Sequence, residues 1–449
     1  MGTRKTKKKI VVIGAGFGGL NAARPLAKEC YELTLIDKTN HHLFQPLLYQ
    51  VATAALSPGD IGIPIREIFR HHKNTYIIMA NVVSINKKER RVLLENGDEI
   101  PYDYLVVATG ARHSYFGKDA WEKYAPGLKT LNDALHIREQ MLISFEKAER
   151  CEKKSEAQKY LNFAIIGGGP TGVEMAGAIS EIAYKTMKRD FHRIDPKNAN
   201  IYLIEGHPEV LAPYPKSLRD RAMKDLKKMG VTLLTNQRVT KVTKEGVYLG
   251  KRFIESRNVI WAAGNAASPL LKTLDTPLNK AGQAIVEPDL TIPSHPEIFV
   301  IGDCSSVMQA NGSPVPAVSP GAIQMGKYVA KIIKKNIPPK ERKPFKYFDK
   351  GMMATIGKFK AVAASGPFRL KGLLAWFAWA FVHIFYLIGF RAKIVVLAEW
   401  LFYLMKSQRN IRLINHPMFD DKTPKAKRVG SKKVTYKKVV KEPPPPHHH

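Results

Sequence analysis

The sequence predicts an α/β protein built from two Rossmann-like dinucleotide-binding units, with a C-terminal amphipathic helical region suited to a membrane surface. Three observations carry this reading. The glycine fingerprint Gly14-Ala15-Gly16-Phe17-Gly18-Gly19 follows an apolar run and opens a helix-compatible stretch. A second fingerprint, Gly167-Gly168-Gly169-Pro170-Thr171-Gly172, sits in the same context. Near the end, Gly372–Phe390 runs for 19 residues without a formal charge and is rich in aromatics.

A chain of 449 residues has room for two or three domains and a large core. Apolar content of 45% and charged content of 24% fit a folded protein, whereas a net charge of +32 favours anionic lipid, nucleic acid or an acidic protein as partner. Cys30, Cys151 and Cys304 show no C-x-x-C or longer paired spacing, which argues against a disulfide framework or zinc site and for a reducing compartment. The basic N-terminus runs straight into the first strand, so no cleavable signal peptide is expected.

In the first unit Ile10–Ile13 is the strand. Gly14 permits a tight turn, Gly16 lets backbone approach a pyrophosphate, and Gly19 lets helix and strand pack closely. The helix N-terminus offers unpaired N–H groups to the phosphates. Asp37, 18 residues beyond Gly19, closes the next strand where a carboxylate accepts hydrogen bonds from a ribose. Pro25 lies inside the helix and predicts a bend. Asn40–Ala55 reads as a loop entering a helix, with Phe44, Leu47 and Leu48 as core. The alternative is a wall of a flavin site with Gln45 and Gln50 as polar contacts. Thr75–Met79, Asn81–Ile85, Arg91–Leu94 and Tyr104–Ala108 read as strands, the last leading to Thr109-Gly110, where a backbone can approach closely. Thr130–Lys159 reads as helix.

The second unit repeats the device after Phe163–Ile166, with Gly167, Gly169 and Gly172 in the same spacing and a helix to about Phe191. Its strand Ile201–Ile204 ends in Glu205, 33 residues past Gly172, and Arg189–Asn200 is the inserted loop. Glu205 suits a ribose 2′-OH and repels a 2′-phosphate, which favours NADH over NADPH. Glu174, in the first turn of the helix, either complements the helix dipole or handles protons beside a nicotinamide. Glu255–Ala263 reads as a strand leading to Gly264 on the nicotinamide side, and Glu297–Ser305 as another reaching Gly302-Asp303. Asp303 is either a turn residue or a flavin contact. A helix begins near Ser319-Pro320, with proline at a favoured first position.

Lys371 and Arg391 bound the aromatic stretch, and Ile394–Met405, carrying Glu399, follows after three residues. So short a link does not comfortably join two spans, so a hairpin lying in the membrane interface is expected, with Trp376, Phe377, Trp379, Phe381 and Phe385 in lipid. The alternative is a buried dimer helix. Thr423–Lys441 is lysine-rich without apolar periodicity and reads as a disordered tail attracted to anionic headgroups. The terminal Pro-Pro-Pro-Pro-His-His-His is left out of the fold.

The chain resembles the type II NADH:quinone oxidoreductases, single-subunit, non-pumping respiratory flavoenzymes. The resemblance rests on GAGFGG (14–19), HHLFQPLLYQVAT (41–53), YLVVATGA (104–111), GGGPTGVE (167–174), VIWAAG (259–264), IFVIGDC (298–304), the AIQ of 322–324 and the aromatic hairpin. It implies a two-dinucleotide-binding flavoprotein: non-covalent FAD in residues 1–115 with 280–345, NADH in 116–279, membrane association through 346–415 and a basic tail over 416–449. It also implies a quinone at the membrane-facing side, a homodimer, and peripheral attachment to the cytoplasmic face of a cell inner membrane. The cofactor-binding residues are then Gly14, Ala15, Gly16, Phe17, Gly18, Gly19, Asp37, Lys38, Gln45, Val83, Gly110, Gly302 and Asp303, with Gly167, Gly169, Gly172, Glu205 and Gly264. Glu174 and Gln324 are the catalytic candidates. The family often carries Ala-Gln-x-Ala-x-Gln near the quinone; here Pro320 stands at the first glutamine and Gln324 at the second.

Competing readings fit less well. A sulfide:quinone oxidoreductase needs a cysteine pair beside the flavin, and only Cys304 falls near it. A disulfide reductase needs a C-x-x-x-x-C that is missing. A soluble NADH reductase docking an acidic carrier would use the positive charge but not the hairpin. Nucleic acid is not an expected partner, because the basic residues are scattered or terminal and no reader motif occurs.

Overall fold

The computed structural model describes residues 7–406, 409 and 411–414. The chain divides into two units, Met1–Leu413 and Ile414–His449, and the elements below all belong to the first. The lysine-rich tail and the extreme N-terminus lie outside the described residues.

Two parallel sheets organise the protein. The first has six strands in the order Thr291–Ile292, His295–Val300, Tyr104–Val107, Lys9–Ile13, Glu32–Asp37 and Thr75–Met79. All its pairings are parallel except that of the edge strand Thr291–Ile292. The central strand is sealed on both faces, with Ile10 and Val12 on one and Val11 on the other each at most 1% exposed, as a parallel sheet under helices requires. Its strand His295–Val300 arrives from late in the chain, bringing the helix Ser319–Lys334 onto the helix Phe17–Leu26. The two pack so closely that a Cβ on Gly326 would stand 2.3 Å from the Gly18 carbonyl oxygen.

The second sheet is all parallel, in the order Val231–Leu234, Asn200–Ile204, Asn162–Ile166 and Asn258–Trp261. Phe163, Ala164, Ile165, Ile201 and Leu203 fill it without exposure. A three-stranded antiparallel sheet, Met352–Gly357, Lys360–Ser365 and Phe368–Lys371, then leads into the helices Leu373–Tyr386 and Phe390–Lys406. Gly389 turns between them in the left-handed region, at φ 87°.

Several expectations are corrected. Pro25 falls in the last turn of its helix, which ends at Leu26, so it helps stop the helix rather than bend it. The Thr130–Lys159 helix is two, Leu131–Glu149 and Lys154–Leu161. Glu149 ends the first, and its carboxylate accepts the backbone N–H groups of His192, Arg193 and Ile194 at 3.0–3.1 Å. The second fingerprint helix is α-helical to Glu181 and closes on a π turn, Ile182–Thr186, short of Phe191. The stretch 255–263 splits into Arg252–Glu255, antiparallel, and Asn258–Trp261, parallel.

The aromatic hairpin is two-faced. Trp376 and Trp379 are buried, against the expectation that they meet lipid. Trp379 stacks on His383 at 4.2 Å between ring centroids and packs against Trp400 at 5.1 Å. Leu374, Phe377, Phe381 and Phe385 lie on the opposite face and are exposed, as are Phe390, Ile394, Leu397, Leu401 and Met405. No helix among the described residues is long and apolar enough to cross a membrane.

Candidate functional site

The first fingerprint builds a cradle in which the three glycines have different duties. A Cβ on Gly14, at φ 96°, would sit 2.3 Å from the Ala108 carbonyl oxygen, and one on Gly19 would sit 1.8 Å from that of Gly14. Both glycines are therefore required by the protein's own packing. Gly16 is not: a Cβ there meets nothing within 4 Å, and its backbone is extended at φ −69°. Its missing side chain serves whatever lies above the helix N-terminus. Gly110 shows the same open space.

Above them lies a cavity of about 280 Å³, lined by Gly14, Ala15, Gly16, Phe17, Gly18, Asp37, Lys38, Gln45, Gly110, Gly302 and Asp303, with Thr39, Lys129 and Ser319 among the rest. Eleven of the expected cofactor residues thus share one wall system. Asp37 also has a structural duty: it accepts the Ala15 N–H and the Thr39 N–H, each at 2.7 Å. Gln45 donates to the Lys129 carbonyl at 3.1 Å. Burial raises the Asp303 carboxyl above its usual range and lowers the Lys129 ammonium below its own, and each of the two charges opposes the shift of the other. Val83 departs from expectation, half-exposed on the strand Val82–Asn86 and not among the cavity walls. Gln50 also lies elsewhere, buried beneath the hairpin, and Phe44, Leu47 and Leu48 are core.

The second fingerprint reproduces the first. A Cβ on Gly167 would meet Ala262 at 2.7 Å and one on Gly172 the Gly167 oxygen at 1.8 Å, while Gly169 has nothing within 4 Å. Glu205 accepts the Gly168 N–H at 2.5 Å and that of His207 at 2.9 Å, as Asp37 accepts Ala15 and Thr39. Each strand-end acid therefore fixes the second residue of its glycine turn, a duty that spacing alone did not reveal. Gly264, at φ 74°, is packed under the Phe116 ring, 2.7 Å from a virtual Cβ.

The helix Pro170–Glu181 approaches the strand Met352–Gly357 so closely that a Cβ on Gly177 would lie 1.8 Å from the Ile356 oxygen. This contact closes a second, smaller chamber of about 50 Å³, bordered by Tyr49, Gln50, Glu174, Glu181, Thr355, Lys358, Trp376, Trp379, Glu399, Trp400, Tyr403 and Arg409. Burial pushes the Glu174 carboxyl up to about 8, against the lowering effect of the Thr355 backbone N–H. A hydrogen-bonded file runs along the wall. Trp400 Nε1 donates to Gln50 Oε1 at 2.8 Å, Gln50 Nε2 donates to the Tyr49 hydroxyl at 3.1 Å, and that hydroxyl meets Thr355 Oγ1 at 2.8 Å. Glu181 accepts from Tyr403, from the Lys358 N–H at 2.6 Å and from Arg409 at 3.2 Å. Gln324 stands apart from both cavities: its amide exchanges two hydrogen bonds of 2.9 Å with the Phe348 backbone. Both ends of the amide thus hold a loop against the helix Ser319–Lys334.

Among the chamber's residues, Tyr49 and Gln50 fall in the specific 41–53 stretch, which could have flagged them, whereas Thr355 and Arg409 carry no sequence signal.

Comparison with known proteins decides the family. Residues 8–326 match the model of the pyridine nucleotide-disulphide oxidoreductases. The Mycobacterium tuberculosis type II NADH:quinone oxidoreductase Ndh is 43% identical over 418 residues, covering 90% of this chain and 89% of that one. This chain belongs to the type II NADH:quinone oxidoreductases. The family's Haemophilus influenzae member is 29% identical, with 83% of this chain and 91% of that one covered. A solved NDH2 from Plasmodium falciparum in complex with NADH shares the fold at TM-score 0.81 and 22% identity, covering 88% of this chain and 98% of that one. The membership confirms the resemblance drawn from the motifs. It does not bring a redox disulfide with it, for Cys30, Cys151 and Cys304 are all free.

Proposed function

We propose that this protein oxidises NADH in the second cradle and reduces a quinone by two electrons, through a non-covalent FAD in the first, without pumping protons. The observation that carries the reading is the pair Gly16 and Gly169, each bare where no protein atom demands it, at the mouths of two separate helix N-termini. Bound in the first cradle, FAD supplies the redox chemistry, taking a hydride from NADH and returning electrons to quinone.

The chain's own work is positional and electrostatic. On this reading residues 1–115 with 280–345 hold the flavin, 116–279 hold NADH and 346–415 meet the membrane. Gly16 and Gly110 leave room for a dinucleotide, and Asp37 and Glu205 each keep acceptor capacity for a ribose after fixing their turns. Lys129 places a cation and Asp303 a carboxyl in the same cavity wall. Holding two rings in near-attack contact can supply about 7–11 kcal/mol of a barrier. Glu174, with its carboxyl pushed up to about 8, is an acid at neutral pH and holds a proton at Oε for the quinone oxygen.

FAD-loaded protein assayed for NADH oxidation with a short-chain quinone tests the function; NADH bleaching of the flavin with no quinone-dependent turnover sinks it. A second test concerns Glu174. Its folded-state value lies above the ordinary 4.5, so the folded protein retains a proton that the unfolded chain releases between 4.5 and about 8. Stability contributed by this group is thus complete below pH 4.5, falls as pH rises through that window and levels above it. Glu174→Gln is expected to flatten that fall in denaturant midpoints measured along the pH scale.

The exposed stripe Leu374, Phe377, Phe381 and Phe385, with Lys371, Arg391 and Lys393 nearby, suits a peripheral seat on an anionic membrane, which we assign to the cytoplasmic face of the inner membrane. A homodimer belongs to the same reading. Removing apolar surface of this kind costs up to about 1.5–3 kcal/mol per side chain. The triple change Phe377→Ser, Phe381→Ser and Phe385→Ser is therefore expected to abolish flotation with phosphatidylglycerol liposomes while FAD content stays normal.

A further inference from the structure

Ile394–Met405 contains twelve residues and a single formal charge, Glu399. An ionisable side chain in a segment otherwise suited to lipid is costly and ordinarily has work to do. Around it the helix Phe390–Lys406 shows Ile394, Leu397, Leu401 and Met405 to the outside. Glu399 instead borders the chamber that Glu174 borders, together with Trp400 and Tyr403 from its own helix.

The chamber has space for water. A single water needs at least about 10–15 Å³, and the chamber's 50 Å³ exceeds that minimum. Its polar walls, Tyr49, Gln50, Thr355 and the two acids, offer the partners such waters need. The other charges facing it are already committed. Glu181 is held by Arg409, Tyr403 and the Lys358 N–H, and Lys358 Nζ donates to the Leu404 carbonyl at 2.7 Å. Arg409 also donates to Thr53 at 2.7 and 2.9 Å. Among the described residues that leaves Glu174 and Glu399 as chamber carboxyls without an ion pair. Beyond the chamber, Asp60 acts on Glu399, and Arg391 acts on Asp60.

We propose that Glu399 is the proton entry of the quinone half-reaction, passing protons from the hairpin surface across chamber water to Glu174. This rests on the function proposed above. Overall, NADH, one solution proton and quinone give NAD⁺ and quinol: the hydride carries two electrons and one proton, and the second proton comes from water. In the relayed step the Glu174 O–H bond breaks as the quinone O–H bond forms. Glu399 then gives its proton through water to the Glu174 carboxylate and is itself reprotonated from bulk. Burial and the nearby Asp60 hold the Glu399 carboxyl above its usual range, which brings its proton affinity closer to that of Glu174. Glu399 acts through Glu174 and is a relay residue rather than a catalytic one.

The test separates the half-reactions by stopped flow, using the full FAD-loaded chain and duroquinone. For Glu399→Gln the expected result is flavin reduction by NADH at the wild-type rate and reoxidation slowed about tenfold or more. The deficit should widen as pH rises, because protons then come directly from solution, and Glu399→Asp should restore most of the rate. A Glu399→Gln reoxidation rate matching wild type at every pH, or one lowered by the same factor throughout, overturns the relay. Wild-type protein that NADH reduces and duroquinone fails to reoxidise overturns the function and the relay with it.

Discussion

Gly16→Val is expected to give a folded protein that no longer retains FAD, and Gly169→Val one that keeps FAD but binds NADH poorly. Both sites have extended backbone that valine adopts freely, and neither Cβ would touch a protein atom. The new side chain instead stands where a pyrophosphate must meet the helix N-terminus. Losing two charge-assisted hydrogen bonds of about 1.5–3 kcal/mol each weakens binding by a factor on the order of 10²–10⁴. Gly19→Ala and Gly172→Ala supply the contrast. Each puts a methyl 1.8 Å from a carbonyl oxygen, and the expected outcome is loss of folded protein rather than of a ligand. Visible flavin absorbance after gel filtration, NADH titration and thermal melts by circular dichroism distinguish the four. Valine variants that retain both ligands would remove the basis for two nucleotide cradles.

Arg409→Ala is expected to release the hairpin. Arg409 and Glu181 are 6% and 4% exposed, so removing the cation leaves a buried carboxylate without its partner. Such a loss costs about 3–5 kcal/mol, and it falls on the segment that ties the hairpin to Thr53 and Ala54. Three of the five tryptophans, Trp376, Trp379 and Trp400, border the chamber that Arg409 also borders, so their fluorescence reports the event locally. The denaturant midpoint of that signal should fall markedly, and adding Glu181→Gln should recover part of it by removing the stranded charge. An unchanged midpoint would show that the buried pair contributes nothing.

The sequence made the two cradles legible because their constraints are local: a tight turn, a close crossing and an acid at a strand end each leave a residue type at a fixed offset. Asp37 and Glu205 stand at their strand ends for this reason, although their hold on the Ala15 and Gly168 N–H groups needed the fold. The chamber was not legible. It joins Tyr49, Glu174, Thr355 and Arg409 from four distant parts of the chain, and no periodicity records such a meeting. The bonds of Gln324 to the Phe348 backbone were not legible either, because motif position says nothing about which backbone an amide will satisfy. The aromatics of the hairpin were all expected in lipid, yet Trp376 and Trp379 occupy the side of the helix opposite to Phe377 and Phe381.

The late arrival of His295–Val300 in the first sheet has a consequence for synthesis. Leu105 must wait for Ile298, its partner in register, until 193 further residues have left the ribosome. At about 5–20 residues per second that is roughly 10–40 s, during which the strand Tyr104–Val107 shows an unpaired edge. The nascent chain is then most exposed to chaperones and to aggregation, and the first cavity is completed only once Asp303, Ser319 and Ala322 have followed.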